Sequence, residues 1–267
     1  MPLDNGKVCV SHNLLDWLFQ AGASAPTIRL LIAMIHHQDQ LGLWDIMYMD
    51  DAHAARTHAT GSVLRGRVGP KRDNGARALK RLVEETRETG LFDNIRLQNR
   101  NTVLCWQFAP WVQDLMHHRW EADFALLELE HVAQCRSDRT LRLYIEARSR
   151  YNMNAPAFTG TVPGSWRRYR HPLLTSCQDV ARLVGTVFFI GLVPDPHEPG
   201  EVSLVFRMRH PGTTWYPGAL MKFPAGTRVF RADPATAREI DPRTFENDAL
   251  GGEDPAELEV NLAANLP

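Results

Sequence analysis

Arg77, Lys80 and Arg81 are residues whose types and spacing carry a chemistry in this sequence. Guanidinium and ammonium groups pair with phosphate oxygens, and a guanidinium can also grip a guanine edge through two parallel hydrogen bonds. All three lie in Asn74–Thr89, where Ala76, Leu79 and Val83 recur at the i, i+3, i+7 spacing of a buried helix face. The cations and Glu84 take the other side, and Gly90 ends the predicted helix. Two strands are predicted next, Asp93–Leu97 and Thr102–Phe108, joined by the polar turn Gln98–Asn101, with Arg100 at its tip. A helix fits the DNA major groove, and a hairpin tip reaches neighbouring phosphates or the minor groove. Ser62–Asp73 reads as a basic loop whose Arg65, Arg67, Lys71 and Arg72 would clamp the DNA backbone. Asn74 would sit near the helix start, where backbone N–H groups favour a phosphate.

Such a helix and hairpin need a scaffold. Leu14–Gln20 reads as a short helix, and Thr27–Gln40 as a longer one with Ile28, Leu31, Ile32 and Ile35 on one face, Pro26 at its start and Gly42 at its end. Trp44–Met49 alternates like a short strand, and Asp50-Asp51 would cap a helix over Ala52–Thr57. The order helix, helix, strand, helix, basic loop, helix, hairpin is that of a winged-helix domain, assigned to residues 1–119.

A junction is expected at Ala109–Trp120, which contains Pro110 and ends near His117-His118-Arg119. Beyond it, Phe124–Leu129 reads as a strand or helix entry and Asp138–Tyr151 as a helix burying Leu141, Tyr144 and Ile145. Asn154–Gly164 reads as a loop, Ser176–Val184 as a helix, and Thr186–Leu192 and Glu201–Arg209 as strands across a Pro-rich turn. Residues 120–232 are thereby a second, winged-helix-like domain. Within them Trp166–Arg170 interleaves aromatics and guanidiniums, the combination that holds phosphates and stacks on bases, which adds Arg167, Arg168 and Arg170 to the DNA-binding candidates. Residues 233–267 read as a loose acidic tail, too poor in aromatics after Phe245 to offset the entropy of ordering.

Charge follows the same division. The net charge is −1, but residues 61–119 hold 11 Arg or Lys against 6 Asp or Glu, residues 136–182 hold 9 against 3, and residues 233–267 hold 2 against 9. Local fields, rather than the near-neutral total, steer a polyanion. Cys9, Cys105, Cys135 and Cys177 are scattered, without a CxxC pair or a secretory-signal pattern, which suits a reduced, cytoplasmic location. The longest apolar run, Leu183–Val193, is about half of what a bilayer span needs, so no membrane helix is expected.

Other chemistries find no support. Adjacent histidines on a helix point about 100° apart, so His36-His37 and His117-His118 read as surface residues, as do His53 and His58, and no metal is expected. No histidine–apolar–histidine triplet of a nicking endonuclease occurs, which leaves Tyr144 and Tyr151 as packing residues. Neither a GxxxxGK[ST] phosphate loop nor Gly-x-Ser-x-Gly is present. Trp106, in the second hairpin strand, is expected to face the core.

The stretch Phe124-Ala-Leu-Leu-Glu-Leu, followed by a helix with Ser-x-x-x-x-Arg-Leu-Tyr over Ser137–Tyr144, resembles the opening of the second winged-helix domain of plasmid replication initiators. The N-terminal half resembles their first winged helix in element order, so the resemblance covers roughly residues 10–155. It departs after residue 160, where Cys177–Gly185 carries only Arg182 instead of a basic recognition helix. The resulting expectation is an α+β protein, mostly helical, with tandem winged-helix-like domains and β-hairpin wings. It would bind double-stranded DNA sequence-specifically as a replication initiator or related transcription regulator, without catalysis or cofactor. Its further partners would be the replication or transcription machinery, and a homodimer is compatible with it. Two alternatives stand: a small β-rich catalytic domain at residues 160–235 fused to a DNA-binding half, and an adaptor whose winged helices bind protein.

Overall fold

Apolar residues at strand and helix periods build two compact units, residues 1–152 and residues 153–267. The computed structural model describes residues 6–44, 57–68, 76–119, 123–153, 156–162, 165–194, 202–210, 223 and 227–241.

The first unit opens with β1 (Lys7–Ser11), whose antiparallel partner is β5 (Phe124–Glu128), with Lys7 opposite Glu128 and Ser11 opposite Phe124. This pairing corrects the expected junction near Trp120. Strand β5 supplies the hydrogen-bond ladder of the first strand, so the division falls after Asn152. Helices α1 (His12–Gln20) and α2 (Ala25–Gln40) follow, and α2 is buried on almost every side. Its polar residues are accordingly paired. Arg29 donates to the Cys135 carbonyl, Asp39 accepts from Arg119, and Gln38 accepts from the Trp106 indole at 3.3 Å. His36, expected at the surface, is part of this buried helix.

Strand β2 (Thr57–Thr60) begins at the residue expected to end a helix; residues 52–56 and most of the expected strand Trp44–Met49 lie outside the described residues. Helix α3 (Gly61–Val68) replaces the first half of the expected basic loop. Leu64 is fully buried, and the Thr60 hydroxyl accepts from the Val63 amide at 3.3 Å, so one apolar anchor and one cap order a Gly/Arg-rich stretch. Helix α4 (Ala76–Glu88), β3 (Phe92–Gln98) and β4 (Val103–Phe108) complete a three-stranded antiparallel sheet of order β2-β4-β3. Trp106 faces the core and Gly90 ends α4 with a left-handed φ of 69°, both as expected. Then come α5 (Pro110–His117), α6 (Leu129–Gln134) and α7 (Asp138–Ser149), capped by the Ser137 hydroxyl on the Thr140 amide at 3.1 Å. Tyr144 is buried, and its hydroxyl accepts from the Glu128 amide at 2.9 Å.

Among its described residues, the second unit is a five-stranded antiparallel sheet with one helix. Its strands are β6 (Ala157–Thr161), β7 (Val187–Pro194), β8 (Val202–Arg209), β9 (Arg228–Ala232) and β10 (Ala237–Ile240), in the order β10-β9-β7-β8-β6. Helix α8 (Trp166–Val184) buries Leu173, Leu174, Cys177, Val180, Ala181 and Val184 and packs on β7, β9 and β10. It is twice the expected length because it runs through Pro172 at the loss of one backbone bond. The expected loop at 154–164 contains β6, and the expected tail begins with a hairpin turn. There Asp233 accepts from the Ala235 and Thr236 amides at 2.9 and 2.7 Å and folds β10 back onto β9. Residues 242–267 of that tail lie outside the described residues. Gly191 is required on β7, since a Cβ there would meet the Phe223 ring at 2.3 Å.

Candidate nucleic-acid interface

Helix α4 carries its two faces as the periodicity predicts. Leu79, Val83 and Thr86 are buried, while Lys80, Arg81, Glu84, Arg87 and Glu88 are exposed. Lys80 lies 3.8 Å from Glu84, an exposed pair of little energetic weight that leaves the ammonium able to exchange partners. Arg87 has another task. Its guanidinium donates twice to the Ile95 carbonyl, at 3.1 and 3.0 Å, and ties the last turn of α4 to β3. Glu85 faces inward and accepts from the Ser24 amide and hydroxyl at 2.8 and 3.0 Å. Burial alone would raise its pKa, but these hydrogen bonds, with that of Thr27, hold it below the usual carboxylate value.

The hairpin tip has unusual backbone geometry. Asn99, Arg100 and Asn101 all have positive φ, at 50°, 56° and 66°. Asparagine tolerates this region, whereas a long side chain such as arginine adopts it at a cost of about 1 kcal/mol or more. Hydrogen bonds close the turn, from the Thr102 amide to Gln98 at 3.1 Å and from the Thr102 hydroxyl to Asn99 at 2.6 Å. The Gly61 amide donates to the Thr102 carbonyl at 2.8 Å, so the first turn of α3 starts beside this tip. Arg65 and Arg67 therefore belong to a helix that begins next to Arg100. Arg77 lies in the first turn of α4, and Lys71, Arg72 and Asn74 lie outside the described residues.

In the second unit Arg167, Arg168 and Arg170 occupy the first turns of α8, all exposed. The Arg170 guanidinium lies 4.9 Å from the Phe230 centroid and that of Arg228 5.6 Å, with the Trp166 ring 5.3 Å away. Trp166 is thus a packing partner of the sheet. Sequence reasoning missed Arg228, Arg231 and Arg238, because residues 228–232 were assigned no element within the second domain and residues 237–240 were read as part of the tail. Pairing of β9 with β10 sets Arg231 opposite Arg238. Arg228 is bidentate to Glu239 at 2.7 and 2.8 Å, which holds that carboxyl below its usual range, and Arg231 pairs with Asp233 at 3.3 Å. Neither Arg-Val-Phe-Arg-Ala at 228–232 nor Ala-Arg-Glu-Ile at 237–240 alternates apolar with charged residues, so no period-2 signal marked either strand.

His12, Asp16 and Glu146 bring metal-ligating atoms within 4.8 Å of one another in the first unit. The histidine Nδ1 lies 3.2 Å from Asp16 and Nε2 3.8 Å from Glu146. A cation already occupies the gap, because Arg150 hydrogen-bonds Glu146 and sits 3.4 Å from His12 Nε2. The donor set therefore suits a protein-borne guanidinium better than an ion. Among the described residues, no helix is long and apolar enough to cross a membrane.

No protein-family model and no curated protein sequence matches the chain. Among solved structures, the fold is similar to the Pi initiator protein, crystallised in complex with iteron DNA. The TM-score is 0.54 at 11% identity, over 77% of this chain and 98% of that one. The resemblance to plasmid replication initiators read from the sequence thus holds at the level of the fold.

Proposed function

We propose that the protein is a non-catalytic, sequence-specific binder of double-stranded DNA, acting as a replication initiator or a related transcription regulator, and that its first unit contains a winged helix. The observation that carries this reading is the convergence of α3 with the hairpin tip, through the Gly61–Thr102 hydrogen bond, next to an α4 that exposes Lys80 and Arg81. The order α2, β2, α3, α4, β3, β4 with sheet order β2-β4-β3 fits a winged helix, and the fold similarity to a DNA-bound initiator adds weight. Helix α4 would enter the major groove, with Arg77, Lys80 and Arg81 reaching base edges and phosphates. Arg65 and Arg67 would hold the backbone from α3, and Arg100 would reach in from the wing. Arg167, Arg168 and Arg170 would provide a phosphate-binding strip on the second unit.

Binding-site selection from genomic fragments, followed by anisotropy titration of the selected duplex, tests this. Affinity should fall roughly a hundredfold or more between about 50 and 200 mM salt, as four to seven cations release condensed counterions. Arg81→Ala should lower preference for the selected site by about 1–3 kcal/mol. A flat salt response, or an Arg81→Ala variant with the parent's preference, would place DNA elsewhere or nowhere on the molecule.

A further inference from the structure

Trp17 on α1 and Trp111 on α5 touch each other edge to face, with centroids 5.6 Å apart, although they are 48% and 42% exposed. Large aromatics that stay wet while packed together form a rigid apolar surface, of the kind that anchors protein contacts. The orientation is fixed from below: the Trp17 indole N–H donates to the Thr89 carbonyl at 3.0 Å, and the Ala109 amide donates to the Leu91 carbonyl at 2.9 Å. These bonds also locate the pair at the base of the β3–β4 hairpin. The Arg100 tip lies past the far end of β3, and the six steps from Phe92 to Gln98 alone span about 20 Å at ~3.3 Å per residue. A ligand at the tryptophans and a ligand at the tip would therefore be bound independently.

The surroundings are acidic. Residues three and four positions from either tryptophan include no Lys or Arg. Asp114, by contrast, follows Trp111 by one turn, is 70% exposed and lies 3.8 Å from the exposed His118, and Asp16 adjoins Trp17 although it faces His12 at 3.2 Å. Glu88 is exposed beside Thr89, and the carbonyl end of α4 contributes further negative potential there. Such a rim repels nucleic acid. It also opposes symmetric pairing with a second copy, which would set carboxylate against carboxylate. A cation is favoured, since a guanidinium can stack on an indole face while pairing with a carboxylate.

We infer that the Trp17–Trp111 surface is a docking site for an arginine-bearing peptide segment of a partner protein, separate from the DNA-binding surface. The experiment is anisotropy of the full chain with a labelled arginine–proline repeat peptide, without DNA, and with a glutamate-for-arginine peptide as control. The parent should bind only the arginine peptide. Trp111→Ala and Asp114→Lys should each weaken it about tenfold, while melting temperature and DNA affinity stay at the parent's values. Asp114 is exposed enough that its variant keeps the test valid should Trp111→Ala lower stability. Equal peptide affinity in all three proteins would assign the peptide to another acidic segment, such as residues 233–267, and overturn the inference. So would no binding by the parent, or self-association of the parent that Trp111→Ala abolishes without affecting the peptide.

Discussion

The two units share a strand order and differ in what surrounds it. In the first, β2 pairs with β4 and β4 with β3; in the second, β6 pairs with β8 and β8 with β7. Each sheet thus sets its first strand beside its third. Between first and second strand the first unit carries two helices, α3 and α4, and the second carries only α8 among the described residues. The second hairpin is also covered on one side, because β9 pairs along β7. Strand chemistry follows from that difference. β3 is an edge strand with exposed Asp93, Asn94, Arg96 and Gln98, whereas the central β7 reads Val-Phe-Phe-Ile-Gly-Leu-Val almost without interruption. A polar edge hairpin is free to serve as a wing. A hairpin embedded in a five-stranded sheet is part of a core, so DNA contact by the second unit would rest on α8.

The largest expected effect concerns where the first unit ends. A fragment of residues 1–152 should fold alone and give a cooperative melt. A fragment of residues 1–119 lacks β5, α6 and α7, leaves β1 without its ladder partner, and exposes the apolar face that Leu127, Leu141 and Tyr144 cover. It should show no cooperative transition by circular dichroism. A well-folded 1–119 fragment would mean that β5 and α7 belong with the second unit after all.

Next in size is a substitution at the centre of the second sheet. Gly191→Val would drive its side chain into the Phe223 ring, which a Cβ alone would meet at 2.3 Å, with the Arg207 guanidinium stacked 5.4 Å from that ring. Overpacking of this kind costs about 1–3 kcal/mol. The loss should appear in the melt of the second unit and leave DNA binding by the first unchanged. Loss of both would show that the units fold as one.

Much of the first unit was legible because its signals are local. The apolar positions Leu79 and Val83, the stop at Gly90 and the alternation of β4 each reflect one helix face or one strand face. What escaped depended on distant partners. β1 is a five-residue strand defined by β5, more than a hundred residues away, and no local period marks that pairing. Helix α3 escaped because one buried leucine orders it amid glycines and arginines. The candidate site divides in the same way. Lys80 and Arg81 could be assigned to the exposed face from spacing alone, whereas Arg228, Arg231 and Arg238 acquired a setting only once β9 and β10 were paired.

A smaller effect, of opposite sign on stability and binding, is expected at the tip of the β3–β4 hairpin. Arg100→Gly relieves a positive φ and should stabilise the first unit by about 0.5–1 kcal/mol. It should also weaken DNA binding several-fold, because the tip cation is lost. The corresponding test of Asn99→Gly should stabilise without weakening. If Arg100→Gly left DNA affinity intact, the strained arginine would be unrelated to binding, and the contrast between a free wing and an embedded hairpin would lose its functional meaning.

The smallest expected effect tests whether α7 closes the first unit. His12 stands between Asp16, one turn on in α1, and Glu146 of α7, with the Arg150 guanidinium against both Glu146 and His12 Nε2. The hydrogen bond to Glu146 raises its pKa above the ordinary 6.5, against burial and the repulsion of Arg150, with Asp16 adding to the rise. A group whose pKa is higher in the folded chain binds its proton more tightly there, so its stabilisation is complete below 6.5 and is lost as pH rises through the folded value. Glu146 behaves oppositely. Burial raises it, but its contact with His12 and the nearby guanidiniums lower it further, so its contribution is present above about 4.5 and fades as pH falls through the depressed value. Stability of the 1–152 fragment should therefore decline as pH rises above about 6.5, and His12→Gln should flatten that limb and shrink the acid limb to the part that Arg150 and Arg142 supply. Urea unfolding at closely spaced pH values would read both limbs. An unchanged alkaline limb in His12→Gln would mean that α1 and α7 are not linked through this histidine in solution.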